Sequence, residues 1–281
     1  MDGSRRALGG ARTFLIFPGD DERKRERALS SGADAVILDL EDGVAPSAKD
    51  VARERVRAFV EAPGRPARLV RVNDPASELG ARDLAAVAAL DGEVGVVVPK
   101  ARPGTVALAS GGGRPVVALV EDAVGVRDAH ELAAGPGVVA LAIGTADLSA
   151  SLGLVADGSG TELLFVRSQL VVASSAAGLR PPVDGPCLDV RDAAALERET
   201  RAARTLGLRG KLCIHPDQVE VVHRALAPTP GEVERARRVL AAWDGIRADG
   251  GAVGTVDGTL VDLPVVERAR AVVEASERSD R

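Results

Sequence analysis

One pattern restricts the fold of this chain more than any other feature. A short apolar, β-branched run, a polar turn and an amphipathic stretch repeat with little variation as far as residue 226. The strand candidates are Phe14–Phe17, Ala35–Leu40, Leu69–Val72, Val94–Val98, Val116–Val120, Val138–Ile143, a weak one at Pro182–Asp184, and Lys211–Ile214. Helical stretches are predicted between them at Glu22–Ser31, Ala48–Val60, Leu79–Leu90, poorly at Thr105–Ala109, then at Val126–Ala133, Glu162–Ala177, Ala193–Leu206 and Gln218–Leu226. In Glu162–Ala177 the residues Leu163, Val166, Leu170 and Ala173 recur at helical spacing and predict a face turned to the sheet. Strands this apolar are expected where both faces are covered. Eight βα units predict an α/β fold, a (β/α)8 TIM barrel over residues 1–227. The alternative, an open doubly wound sheet, lacks the GxGxxG that would follow its first strand.

Beyond Leu226 the rhythm changes. Pro228 and Pro230 punctuate the chain, Gly231–Ala248 reads as a charged helix, and Gly250–Val261 alternates small and β-branched residues as a hairpin does. A last helix is predicted over Pro264–Ser276, with its proline in the first turn. Residues 228–281 therefore read as a C-terminal helix–hairpin–helix extension. The balance of 36 basic against 41 acidic side chains offers no bulk attraction to nucleic acid or to an anionic membrane. No apolar run approaches the length of a membrane span and no secretory leader is evident, so a cytoplasmic protein is expected. Cys187 and Cys213 are the only cysteines, far apart and outside any CxxC, and read as packing residues.

In barrel enzymes the chemistry sits where the strands end at their C-terminal side. Here those ends carry Asp39, Glu41 and Asp42 (LDLED), Arg71 and Asn73 (VRVN), Lys100 (VVVPK), Glu121 (ALVED), Asp147 past Gly144 (IGTADL), and His215 (CIHP). Glu121 and Asp147 on adjacent strand ends suit a hard cation with oxygen ligands, hence Mg2+. Helix capping is the structural alternative for each acid. Arg71 can clamp a carboxylate bidentately, or form a salt bridge to Asp39 or Glu41. Lys100 can be a Schiff-base nucleophile or a rim contact. His130 and His223 fall on helices, where exposure is expected.

The ordered set RTFLIFPGDDERKRERALSSGADAVILDLEDGVAP, VRVN, VVVPKA, ALVEDAVGV, IGTADLSASLG and GKLCIHPDQV resembles the citrate lyase β-subunit-like family, related to malyl-CoA and citramalyl-CoA lyases, along nearly the whole chain. The resemblance implies a Mg2+-dependent barrel, assembled as a homotrimer or homohexamer, acting on CoA or carrier thioesters of 3-hydroxy acids. It implies Glu121 and Asp147 as metal ligands and Arg71 as the holder of the 2-oxo acid carboxylate. Asp39, Glu41 and Asp42 would order metal-bound water, and Gly144 would let backbone approach the substrate. Asp262 of GTLVDLPVVERA would reach a neighbouring subunit's site and exchange a proton with the acetyl-thioester methyl carbon. Asp122, where relatives usually carry Thr or Ser, would add charge beside the metal.

The expected reaction is cleavage, or Claisen-type formation, of a thioester such as citryl-, malyl- or citramalyl-CoA, giving acetyl-CoA and a 2-oxo acid. The alternatives are a malate-synthase-like or thioesterase activity on the same scaffold, and a carrier-dependent binding subunit inactive alone. A metal-dependent pyruvate-type aldolase with a catalytic histidine is disfavoured, since the first strand ends IFPGDDE.

Overall fold

Alternation along each strand decides what the barrel encloses, because successive side chains point to opposite faces. The computed structural model describes residues 8–62, 66–156, 158–248 and 250–279. Eight parallel strands close in sequence order: β1 (Thr13–Pro18), β2 (Ala35–Asp39), β3 (Ala67–Arg71), β4 (Gly95–Val98), β5 (Val116–Val120), β6 (Val138–Ile143), β7 (Val183–Asp184) and β8 (Gly210–Cys213). The expected eight-stranded barrel is therefore the observed fold. Phe14, Ile37, Leu69, Val97, Val117, Leu119, Ala140, Ala142 and Val183 form one buried cluster, joined by Leu8 and Ala11. These are alternate residues, so each column ends by pushing the next residue of the same parity toward the barrel mouth. Leu69 is followed two positions on by Arg71, Leu119 by Glu121, and Ala142 by Gly144.

Register then brings the polar ends together. Asp39 on β2 pairs with Arg71 on β3, and the N–H of Gly144 donates to Val120 O at 2.9 Å, which aligns the ends of β5 and β6. The shortest strand, β7, is in ladder register with β6 at a single pair, Ala142 and Val183. It is pinned from outside instead. Asp184, wholly buried, accepts from Arg167 of the helix Leu164–Ala176 at 2.9 and 3.1 Å and from Lys211 of β8 at 2.8 Å. Burial opposes its ionisation, but the two cations hold its carboxyl below the usual range.

The helices follow the predicted pattern with informative differences. Leu163, Val166, Leu170 and Ala173 are all buried, as their spacing requires. The stretch predicted at Ala48–Val60 is a 3-10 turn, Pro46–Ala48, and two helices, Lys49–Glu54 and Val56–Glu61. The stretch at Val126–Ala133 is also two helices, Ala123–Arg127 and Ala129–Ala133. A helix at Thr145–Leu152 was not expected from the sequence. His130 is exposed, but His223 is not the exposed residue anticipated. Its Nε2 lies 3.0 Å from Thr13 Oγ1 and 3.1 Å from Asp34 Oδ2, at the N-terminal ends of β1 and β2.

The chain divides into two units between Ala225 and Leu226. The second unit has the helix Pro230–Ala248, the antiparallel strands β9 (Gly254–Val256) and β10 (Thr259–Val261), and the helix Leu263–Ser279. Asp257 and Gly258 turn the hairpin with φ of 51° and 73°, the left-handed pair that a two-residue hairpin loop requires. Ala236, Val239, Trp243, Val261, Val266 and Ala269 form its core. No helix among the described residues is long and apolar enough to cross a membrane.

Candidate active site

The mouth of the barrel holds a cavity of about 230 Å³. Arg71, Glu121, Gly144, Asp147 and Asp42 line it together with the tops of the apolar columns. Five of the residues singled out from the sequence therefore meet in one place. Asp39 and Glu41 stand behind Arg71, and Asp262 belongs to the second unit.

Asp39 is 2% exposed and its hydrogen bonding is complete. Oδ1 accepts from Glu41 N at 2.9 Å and Arg71 Nε at 2.7 Å; Oδ2 accepts from Gly43 N at 2.9 Å and Arg71 Nη2 at 2.7 Å. Four donors on two oxygens leave no room for metal-bound water, so the expected water-ordering role does not fall to Asp39. It orients Arg71 and folds the LDLEDG turn. A Cβ at Gly43 would lie 2.3 Å from Asp39 Oδ2, so the turn needs glycine there.

Arg71 thus makes the salt bridge that was one of its two readings, and the other survives. Nη1 lies 3.1 Å from Glu41 Oε2. Burial opposes its charge, but Asp39 and Glu41 raise its pKa well above the usual arginine value, so it stays cationic. With Nε and Nη2 each donating once to Asp39, three of the five guanidinium N–H groups remain for a ligand carboxylate.

Glu41 Oε1 accepts from Lys100 Nζ at 2.9 Å, while its buried Oε2 has no hydrogen-bond donor. Lys100 also lies 3.3 Å from the exposed Asp42. Burial works against its charge and is outweighed by Glu41, so its pKa is raised, the opposite of what a Schiff-base nucleophile needs. Lys100 adopts a left-handed φ of 43°, and its N–H reaches Glu121 Oε2 at 2.6 Å.

Glu121 is 2% exposed. Burial pushes its carboxyl up to about 7; the Lys100 N–H and Arg71 oppose the rise, and Glu41 and Asp147 add to it. Gly144 makes room for this carboxylate as well as lining the cavity: a Cβ there would sit 2.4 Å from Glu121 Cγ and 2.6 Å from Oε1. Asp122 is not among the residues that line the cavity. Its Oδ1 accepts from Gly125 N at 2.9 Å, capping a helix, and Oδ2 binds Arg102 at 2.6 Å. Asp147 stands in the first turn of Thr145–Leu152, a helix with no side-chain cap.

A cation fits this set. Arg71 is already matched by Asp39 and Glu41, and Asp42 by Lys100, which leaves Glu121 and Asp147 on the cavity wall without a matching cation among its lining residues. No histidine or cysteine lines it. Among the described residues no group of three or more His, Cys, Asp or Glu forms a metal cage. Two carboxylates with remaining positions open to water and ligand suit Mg2+.

Sequence reasoning missed the support beneath the site. Lys49, 9% exposed, donates to Leu40 O and Glu41 O at 2.7 Å and to Asn73 Oδ1 at 2.9 Å. Asn73 in turn donates to the buried Asp83, which also binds Arg53. Lys49 lies on a helix, in a position that reads as solvent-exposed in the sequence. His215 is half-exposed, and its Nδ1 accepts from Asp217 N at 3.2 Å. Cys187 and Cys213 are buried, and burial pushes the Cys213 thiol up to about 12, consistent with packing.

A sequence model described as HpcH/HpaI aldolase/citrate lyase matches residues 12–109 and 110–216. The chain belongs to this family. It is 34% identical over 271 residues to a (3S)-malyl-CoA thioesterase of Cereibacter sphaeroides, covering 95% of this chain and 94% of that one. The CitE protein of Mycobacterium tuberculosis, in complex with magnesium, acetoacetate and coenzyme A, superposes with a TM-score of 0.83 at 36% identity, covering 96% of this chain and all of that one. A citrate lyase β subunit from M. tuberculosis with oxaloacetate and magnesium superposes with a TM-score of 0.68 at 36% identity, over 79% of this chain and 99% of that one. The resemblance read from the strand-end motifs is thus a family relationship spanning the barrel.

Proposed function

We propose that the protein is a Mg2+-dependent carbon–carbon lyase that splits a 3-hydroxyacyl thioester, of the citryl-, malyl- or citramalyl-CoA kind, into acetyl-CoA and a 2-oxo acid, or joins them. The observation that carries this reading is the placement of Glu121 and Asp147 on the same cavity as Arg71. Magnesium, CoA and oxo acids in the family's solved structures support it.

Glu121 and Asp147 would hold Mg2+, which supplies Lewis-acid polarisation of the oxo acid's carbonyl oxygen. Arg71, held in place by Asp39, turns its remaining N–H groups to the carboxylate of the same acid. The uncapped N-terminus of Thr145–Leu152 adds backbone donors at the cavity wall. Lys24 and Arg27 line an adjoining cavity of about 360 Å³ that shares Arg71, and offer cations to the phosphates of CoA. Asp262 exchanges the proton of the acetyl methyl carbon. Its Oδ1 accepts from Val265 N at 3.2 Å, which fixes the carboxylate at the start of the last helix. In this reading Asp262 acts in a neighbouring subunit of a homotrimer or homohexamer, so assembly is part of catalysis.

The relative named malyl-CoA thioesterase supports a second reading, in which the thioester is hydrolysed. Product analysis separates the two. Malyl-, citramalyl- and citryl-CoA incubated separately with protein and Mg2+ are expected to release intact acetyl-CoA and an oxo acid from at least one, with Asp262→Asn binding Mg2+ and oxo acid but failing to turn over. Free CoA with an intact hydroxy acid would establish hydrolysis instead. Unchanged turnover in Asp262→Asn would remove Asp262 from the mechanism.

A further inference from the structure

We infer that Arg102 and Asp122, which are not among the residues lining the cavity, are a positioning pair for Glu121: together they fix the backbone turn at Lys100 whose N–H orients that carboxylate. This rests on the reading of Glu121 as a Mg2+ ligand and adds to it the residues that set its geometry. Among the described residues only Lys100 and Asp257 have a positive φ without being glycine, and Asp257 turns a hairpin. Lys100, at φ 43°, lies between β4 and the helix Pro103–Ser110. A left-handed lysine is strained and persists only where its surroundings over-determine it.

Arg102 supplies that restraint by folding back over the turn. Its Nη1 donates to Lys100 O at 3.1 Å and to Ala101 O at 2.9 Å, while Nη2 donates to Asp122 Oδ2 at 2.6 Å. Asp122 is itself fixed, because its Oδ1 accepts from Gly125 N at 2.9 Å. The guanidinium therefore joins the loop after β4 to the residue directly after Glu121. What the turn delivers is the Lys100 N–H, 2.6 Å from Glu121 Oε2. On the carboxylate's other side Oε1 occupies the space that a Cβ at Gly144 would fill. One oxygen is held by the N–H and the other lies against Gly144, so the carboxylate is fixed in one orientation. The Lys100 ammonium cannot set this turn, since its side chain is half-exposed and ends four methylenes from the backbone. Nor is the Arg102–Asp122 pair a large source of stability, being partly exposed on both sides. Its effect is on geometry, and hydrogen bonds behind a metal ligand typically change metal affinity by about 10–100-fold.

Full-length protein labelled with 15N-lysine has four lysine amides, those of Lys24, Lys49, Lys100 and Lys211, and Lys100→Gly assigns one of them by its loss. In chelated wild type the Lys100 amide proton is expected far downfield, as a short bond to a carboxylate requires, and Arg102→Ala is expected to move it upfield. Calorimetric titration with Mg2+ is expected to show affinity lower by about tenfold or more in Arg102→Ala and in Asp122→Asn, with the double variant no weaker than Arg102→Ala. Arg127→Ala removes a neighbouring exposed cation bound to Asp128 and is expected to stay within about threefold of wild type. Mg2+ affinity within about threefold of wild type in Arg102→Ala, an unmoved Lys100 amide, or an equal loss in Arg127→Ala overturns the inference and leaves the metal reading intact. Wild type that binds no Mg2+ refutes the metal reading and this inference together.

Discussion

Replacing Glu121 by glutamine is expected to make the metal-free protein more stable at alkaline pH, although it removes a proposed metal ligand. The carboxyl titrates at about 7 in the fold against an ordinary value of 4.5. The folded state therefore holds a proton that the unfolded chain has released. A carboxyl raised in this way costs stability progressively as pH climbs from 4.5 to 7, and the full cost is present above 7. At 1.36 kcal/mol per unit the difference comes to about 3 kcal/mol at pH 8, falling below about 1 kcal/mol near pH 5. Glutamine keeps an oxygen for the Lys100 N–H and carries no charge to bury. Urea unfolding of both proteins, followed by far-UV circular dichroism after chelation, measures the difference directly. Adding Mg2+ at pH 8 is expected to stabilise the wild type and leave Glu121→Gln unmoved. A variant less stable than wild type at pH 8, or a gap that does not shrink by pH 5, would refute the reasoning.

Gly144→Ala drives a methyl into Glu121 Cγ and Oε1, so Mg2+ affinity by calorimetry is expected to fall tenfold or more, with the circular dichroism spectrum retained. Asp184→Asn leaves Arg167 and Lys211 buried against a neutral partner, a loss of about 3–5 kcal/mol in urea unfolding. Burial works against the charge of Asp34, but hydrogen bonds from His223 and from the N–H groups of Arg12 and Thr13 hold its carboxyl at about 2. Its contribution is present above the unfolded value of 3.8 and is lost as pH falls toward 2, so Asp34→Asn should lose about 1–2 kcal/mol at neutral pH, the group being partly exposed, and converge on wild type in acid.

The strands were legible because each is a nearly unbroken apolar run, and the rim was legible because Arg71 and Glu121 continue the inward parity of Leu69 and Leu119. Parity along one strand says nothing of pairing across strands. That Asp39 would spend both oxygens on Arg71 and its own turn follows from the β2–β3 register. That Gly144 would face Glu121 follows from how β5 and β6 end side by side. The helix Thr145–Leu152 was hidden because TADLSASL is short, weakly apolar and rich in small residues. Lys49 and His223 looked like surface residues because helical periodicity does not show which polar side chain finds a buried partner.

The order in which the barrel closes divides the proposed chemistry between its two halves. Asp39, Glu41, Arg71 and Lys100, which fix the carboxylate clamp, come from β1 to β4 and their loops; Glu121 and Asp147 follow β5 and β6. A chain cut at the exposed glycines between Ser110 and Arg114 would give one fragment carrying the clamp and another carrying the metal pair. Neither half-barrel would hold the oxo acid at both ends. Complementation of the fragments would then report, as recovered oxo acid binding, the closing of the β4–β5 and β8–β1 seams.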